Sequence, residues 1–159
     1  MALQNVAENF SNDDVVQEAL ENFASLLDSA DFASEFALMG IGRMQFMRRR
    51  QMLTELRGLY MALWRLALAS SFPHDADEMF DRFLETYRAN HPDKISARTI
   101  ERARGYWGML QVKGDSDFSD IARHLCSFSD NDQQAIRPLA LRLALHIRQT
   151  YRLIFDRLI

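Results

Sequence analysis

The chain has 159 residues, 48% of them hydrophobic and 26% charged, the composition of one soluble domain large enough to bury its own core. Six Gly and three Pro supply few turns, and 4 Val, 8 Ile and 4 Thr are outnumbered by 20 Leu and 18 Ala. That balance excludes an all-β sandwich or barrel and predicts helices, while 11 Phe, 4 Tyr and 2 Trp exclude a disordered tract.

The formal net charge of -3 hides an asymmetry. Residues 1–36 carry eight acids and no Lys or Arg; residues 37–159 hold all 19 cations against 14 acids. The chain therefore reads as an acidic leader on a basic body. A single cysteine, Cys126, cannot form an intrachain disulfide, which fits a reducing cytoplasm. The first eight residues lack the basic-then-apolar order of a secretory signal. The most apolar window, residues 59–72, is shorter than the roughly 20 helical residues needed to span a bilayer and contains Arg65, so no membrane partner is expected.

In chain order, Ser11 or Asn12 is expected to cap a first helix over about 13–29, with Val16, Leu20, Phe23 and Leu27 at helical spacing. A turn or short helix near 32–39 leads to Gly40-Ile41-Gly42. A long second helix over about 43–71 turns Phe46, Leu53, Leu56, Tyr60, Leu63 and Trp64 to one side and stops at Pro73. Asp75 is expected to cap a third helix over about 76–89, ended by Pro92. Ser96 is expected to cap a fourth over about 97–112. A short fifth opens at Ser116 or Asp117, and after the turn Ser129-Asp130-Asn131-Asp132 a final helix over about 132–157 contains Pro138. Leu141, Leu145 and Leu153 fall near the polar side of that helix, which suggests a second cover supplied by another subunit.

Asp14, Glu21 and Asp28 are spaced by seven, as are Arg43, Arg50 and Arg57. Antiparallel packing of the first two helices would pair Asp28 with Arg43, Glu21 with Arg50 and Asp14 with Arg57. Arg48-Arg49-Arg50 is the densest basic cluster. Residues 95–104 look like the start of a recognition helix in helix-turn-helix regulators, with Arg98 and Arg102 sharing a face. Met39, Met44, Met47, Met52 and Met61 make a stripe that reads mainly as core.

His91-Pro92-Asp93-Lys94 resembles the His-Pro-Asp signature of J-domain co-chaperones, which stimulate a chaperone ATPase. In that family the preceding helix is basic; here residues 75–88 carry five acids against Arg82 and Arg88. The plainer reading is a Pro turn whose Asp93 helps to open the next helix. Asp115, Asp117 and Asp120 lack the Gly and terminal Glu of a calcium loop. His124 and Cys126 point to different sides of a helix, so they form no nucleophile–base pair.

The expectation is thus one all-α domain over 1–159, a bundle of five to seven helices around two long ones, the second and the last, with the leader helix packed on the body. No residue is nominated as catalytic, cofactor-binding or metal-ligating, and an enzyme is disfavoured. The expected function is a non-catalytic cytoplasmic interaction or regulatory module: a homodimer that presents a helix surface to a protein partner, with Arg48, Arg49, Arg50, Arg98 and Arg102 as candidate contact residues. Two alternatives stand beside it. One is a DNA-binding regulator using residues 43–57 and 96–104. The other is a small-molecule sensor or enzyme with an interhelical pocket near Trp64 and Trp107.

Overall fold

Every residue from Met61 to Leu68 is buried, the pattern of a helix covered on all sides. That helix is α3 (Phe46–Ser71). It packs against α1 (Ala2–Ser29), α4 (Ala76–Asn90), α5 (Lys94–Lys113) and α7 (Gln133–Asp156). Around it α4 meets α5, α5 meets α6 (Ser119–Cys126), α6 meets α7, and α7 meets α2 (Ala33–Leu38). The computed structural model describes residues 2–129 and 132–159, with side chains from Asn12 onward except that of residue 133. Among them these seven helices are the regular elements, and their buried apolar residues form one continuous core.

The most extensive helix pairing is α3 with α5, not α3 with the last helix as expected. Gly58 is the cause. A Cβ at this position would sit 2.8 Å from the Cβ of Arg102 and 3.0 Å from the backbone nitrogen of Ala103. The α5 backbone and the Arg102 Cβ therefore come close to α3 where position 58 has no side chain, and the lone Gly of α3 converts from a weak helix former into a point of close approach.

Phe23 fixes α1. Its ring stacks on Trp64 with centroids 4.7 Å apart, and Phe83 closes on both at 5.0 and 5.1 Å. Such pairs add about 0.5–1.5 kcal/mol each beyond their burial. As the chain advances from Phe23 through Phe32 to Phe36, its partners on α3 retreat from Trp64 through Tyr60 to Arg49. The two segments are antiparallel, but the proposed charge register is wrong. Among the described residues no ion pair joins Asp28 to Arg43, Glu21 to Arg50 or Asp14 to Arg57. That register would set Phe23 opposite Arg48, 16 residues from Trp64, or about 24 Å along the helix. Stacking of buried rings outweighs exposed ion pairs of about 0–1 kcal/mol.

Helix ends also differ from expectation. Residues 2–12 contain no Gly or Pro, and α1 runs through them, so Asn12 is internal and not a cap. The side chain of Ser11 and the turn residues Asp130 and Asn131 lie outside the described residues. α5 starts three residues before the expected site. Asp93 is its cap, accepting the Ser96 N–H at 2.7 Å and the Ser96 hydroxyl at 3.1 Å. The backbone N–H bond of Ser96 is the main reason the Asp93 carboxyl lies below its usual range. Asp132 caps α7 through the Ala135 N–H at 2.9 Å.

Substituting Ala at two helical glycines separates the effects of propensity and packing. Gly108→Ala meets nothing within 4 Å and should gain up to about 1 kcal/mol. Gly58→Ala gains the same propensity but must push two backbones apart, a cost of about 1–3 kcal/mol. Thermal and urea unfolding should show a raised midpoint for the first and a lowered one for the second; a rise in both would contradict the close α3–α5 contact.

Candidate functional site

The middle of α3 is shut off from water, so a charged side chain there needs a partner within the bundle. Glu55 is 5% exposed. Arg102 and Tyr106, one turn apart on α5, reach it: the Arg102 Nε lies 2.8 Å from Oε1 and 2.9 Å from Oε2, and the Tyr106 hydroxyl donates to Oε2 at 2.5 Å. Burial, reinforced by the Glu55 carboxylate, pushes the Tyr106 phenol far up, so it remains a donor.

α6 completes this cluster. The His124 ring meets Tyr106 edge-on at 5.6 Å, and its Nε2 lies 3.5 Å from the Arg102 Nη2. Arginine only donates, so in this contact the His124 Nε2 is the acceptor. Phe128 packs on His124 at 5.4 Å and under the Arg102 guanidinium at 6.0 Å. Its carbonyl accepts from the Arg48 Nη2 at 3.5 Å. A cleft of about 140 Å³ lies alongside, lined by Arg102, Gly105, Tyr106, Met109 and His124.

Two of the five candidate arginines, Arg48 and Arg102, therefore converge on Phe128. Arg102 turns inward on Glu55, and Arg49 lies over the Phe36 ring at 4.3 Å. Arg50 and Arg98 are exposed. The five do not form one outward face, which the DNA-binding alternative requires. The space near Trp64 and Trp107 is occupied by packed rings and by the Arg65 guanidinium, 4.3 Å from the Trp107 centroid and ion-paired with Asp77.

A second buried carboxylate, Glu35, accepts from the Tyr60 hydroxyl and lies 3.0 Å from the His146 Nε2. Burial alone would raise its pKa; the hydrogen bonds from His146 and Tyr60 outweigh burial and hold it below the usual carboxylate range. α2 delivers Glu35 from Phe32, whose φ of 57° is strained for a residue with a side chain. Burial of the Phe32 ring against Tyr60 at 4.8 Å opposes that strain.

Three residues were assigned to the core and are not there. Met44, Phe46 and Met47 are 82%, 70% and 79% exposed. α3 begins at Phe46, and in its first turn Phe46 and Met47 stay in solvent while Arg48 and Arg49 are half-buried. Met39, Met52 and Met61 of the same stripe are buried. Leu141, Leu145 and Leu153 stand outside on α7, 64%, 52% and 45% exposed. His91 stacks on Tyr87 at 4.4 Å, so the ring of the His-Pro-Asp loop packs on its own helix. Cys126 is buried, and burial raises its thiol pKa. Among the described residues no group of three His, Cys, Asp or Glu side chains is placed to hold a metal ion, and no helix is long and apolar enough to cross a membrane.

No protein-family model, curated protein or solved structure matches the chain.

Glu55→Ala should cost about 2–3 kcal/mol, below the roughly 3–5 of a fully buried pair because the Arg102 side chain is 36% exposed. Tyr106→Phe should cost about 1 kcal/mol. Equal losses in urea unfolding would contradict the central role of the carboxylate. For Glu35 the folded pKa is below the unfolded one, so its contribution is present above the ordinary value of 4.5 and is lost as pH falls through the folded value. The wild-type melting temperature should fall more between pH 5 and pH 3 than that of Glu35→Gln; parallel curves would contradict the assignment.

Proposed function

We propose that this protein is a non-catalytic helical interaction module that presents the exposed start of α3 to a protein partner. One observation carries the reading: Met44, Phe46 and Met47 place three large apolar side chains in solvent within four positions. Isolated exposed apolar residues are common on protein surfaces, whereas a cluster marks a contact site. Flexible thioethers on both sides of an aromatic anchor suit a surface that adapts to what it binds.

The cations around this corner define its partner. Arg43, Arg48, Arg49 and Arg50 flank the apolar trio, and residues 42–53 include no acid. Arg48 is held at the Phe128 carbonyl and Arg49 over Phe36, so part of the positive rim is already ordered before binding. The exposed Arg43 and Arg50 leave charge for an acidic surface. The partner in this reading offers an apolar pocket with carboxylates at its edge. The lone, buried Cys126 supports a cytoplasmic setting.

Met44→Ser/Phe46→Ser/Met47→Ser tests the reading. These side chains contribute little to the fold, so stability should change by no more than about 0.5 kcal/mol per site. Wild-type and variant baits are compared by affinity capture from native extract at low and high salt. Wild type should retain a defined protein at both salts, with at least a tenfold loss on the variant. Capture of nucleic acid alone, of a small metabolite alone, or of the same proteins by both baits would overturn the proposal.

A further inference from the structure

We infer that the outer ridge of α7 docks into the groove between α1 and α4 of a second copy of this chain. The inference rests on surfaces away from the α3 corner and is independent of the function proposed there.

The ridge is apolar and positive. Leu141, Leu145 and Leu153 project from α7 amid Arg137, Arg142, Arg148 and Arg152, and the helix carries one acid, Asp156, at its last position. A symmetric α7-to-α7 contact would bring eight guanidinium groups together, which like-charge repulsion opposes. Whatever covers these leucines must therefore be acidic as well as apolar.

The chain itself carries such a surface. A groove of about 310 Å³ runs between α1 and α4, with Leu20, Leu27 and Phe83 in its lining, two acids, Glu21 and Asp28, and one cation, Arg82, which donates to Gln17 at 3.0 Å. From Asn12 to Ser29, α1 holds five acids and no cation; on α4, outside the groove lining, Asp77 and Asp81 are paired with Arg65 and Arg104, and Glu78 and Glu85 stand against Arg82 and Arg88. Neither Glu21 nor Asp28 forms an ion pair among the described residues. The lengths agree as well. Groove residues 17–28 on α1 span about 17 Å, and Leu141 to Leu153 spans about 18 Å. Apolar ridge, apolar floor and opposite charges are thus matched, but on different helices of one chain. The contact joins ridge to groove, and two copies close it by exchanging both halves around a twofold axis.

Charge exchange between two variants provides the test. Light scattering and sedimentation equilibrium should show wild type as a dimer at about 100 µM in 50 mM NaCl, with at least a tenfold weaker association in 500 mM NaCl. Leu145→Asp, Glu21→Arg/Asp28→Arg and Arg142→Glu/Arg152→Glu should each be monomeric, with helical circular dichroism and melting temperatures near wild type. Mixing the last two variants equally should restore a dimer, because each supplies the charge that the other lacks at both contacts. A monomeric wild type under the same conditions would overturn the inference. So would folded variants that still dimerise alone, failure of the mixture to associate, or binding to anionic phosphatidylserine vesicles without self-association.

Discussion

Burial of α3 from residue 52 to 68, where none is exposed, is the constraint from which the rest of the structure follows. A stretch covered in this way leaves no solvated side for a charge, so Glu55 and Arg65 need partners inside the bundle. Close approach of α5 solves part of this problem. Gly58 admits the α5 backbone, and the same approach carries Arg102 and Tyr106 to within hydrogen-bond distance of Glu55. Arg102 also supplies the Cβ that a larger residue at 58 would strike. The smallest residue of the central helix and its buried carboxylate thus act as one device, the first setting the distance and the second using it.

Three polar clusters inside the bundle each join three helices. Glu55 ties α3 to α5 and, through Arg102 and His124, to α6. Glu35 ties α2 to α3 and α7 through Tyr60 and His146. Arg65 of α3 pairs with Asp77 of α4 and lies over Trp107 of α5. Desolvation cancels much of the attraction within such pairs, so they add less stability than the apolar area around them. Their directionality has a different effect. An apolar stripe tolerates sliding by a turn, whereas a carboxylate with two fixed donors does not. Arrangement comes from the polar groups and adhesion from the core.

Helices and their stops were readable from the chain because they depend on near neighbours: a repeat of three to four, Pro73 and Pro92 at the ends, Asp132 at a start. Register was not readable in the same way. Charges seven apart on two helices arise whenever each helix keeps a solvated side, so Asp28 with Arg43 looks like a pairing although Phe23 and Trp64 set the alignment. Phe46 shows a related gap. A helical wheel reports direction around the axis but not where the neighbouring helices end, and an inward-looking position in the first turn faces solvent. Arg102 was singled out for its charge, while the group that commits that charge, Glu55, passed without notice. Its signal was a carboxylate within the apolar run Leu53-Thr54-Glu55-Leu56, where an unpaired charge would be costly.

The fold also explains why charge sorted unevenly along the sequence remains sorted in space. Most ion pairs of the described residues lie within the α3–α7 body, such as Arg104 with Asp81 and Lys113 with Asp120. α1 instead reaches the body through rings and through Gln17, which accepts from Arg82 at 3.0 Å, and its Glu21 accepts from the same Gln17. Had the acidic first helix met the basic start of α3, the two would have neutralised each other and left little field outside. Phe23 prevents this by taking Trp64, far from Arg48 along α3. The aromatic contact that secures α1 to the core therefore also keeps its carboxylates free of Arg43 and Arg50, and two regions of opposite sign stay separate on the surface.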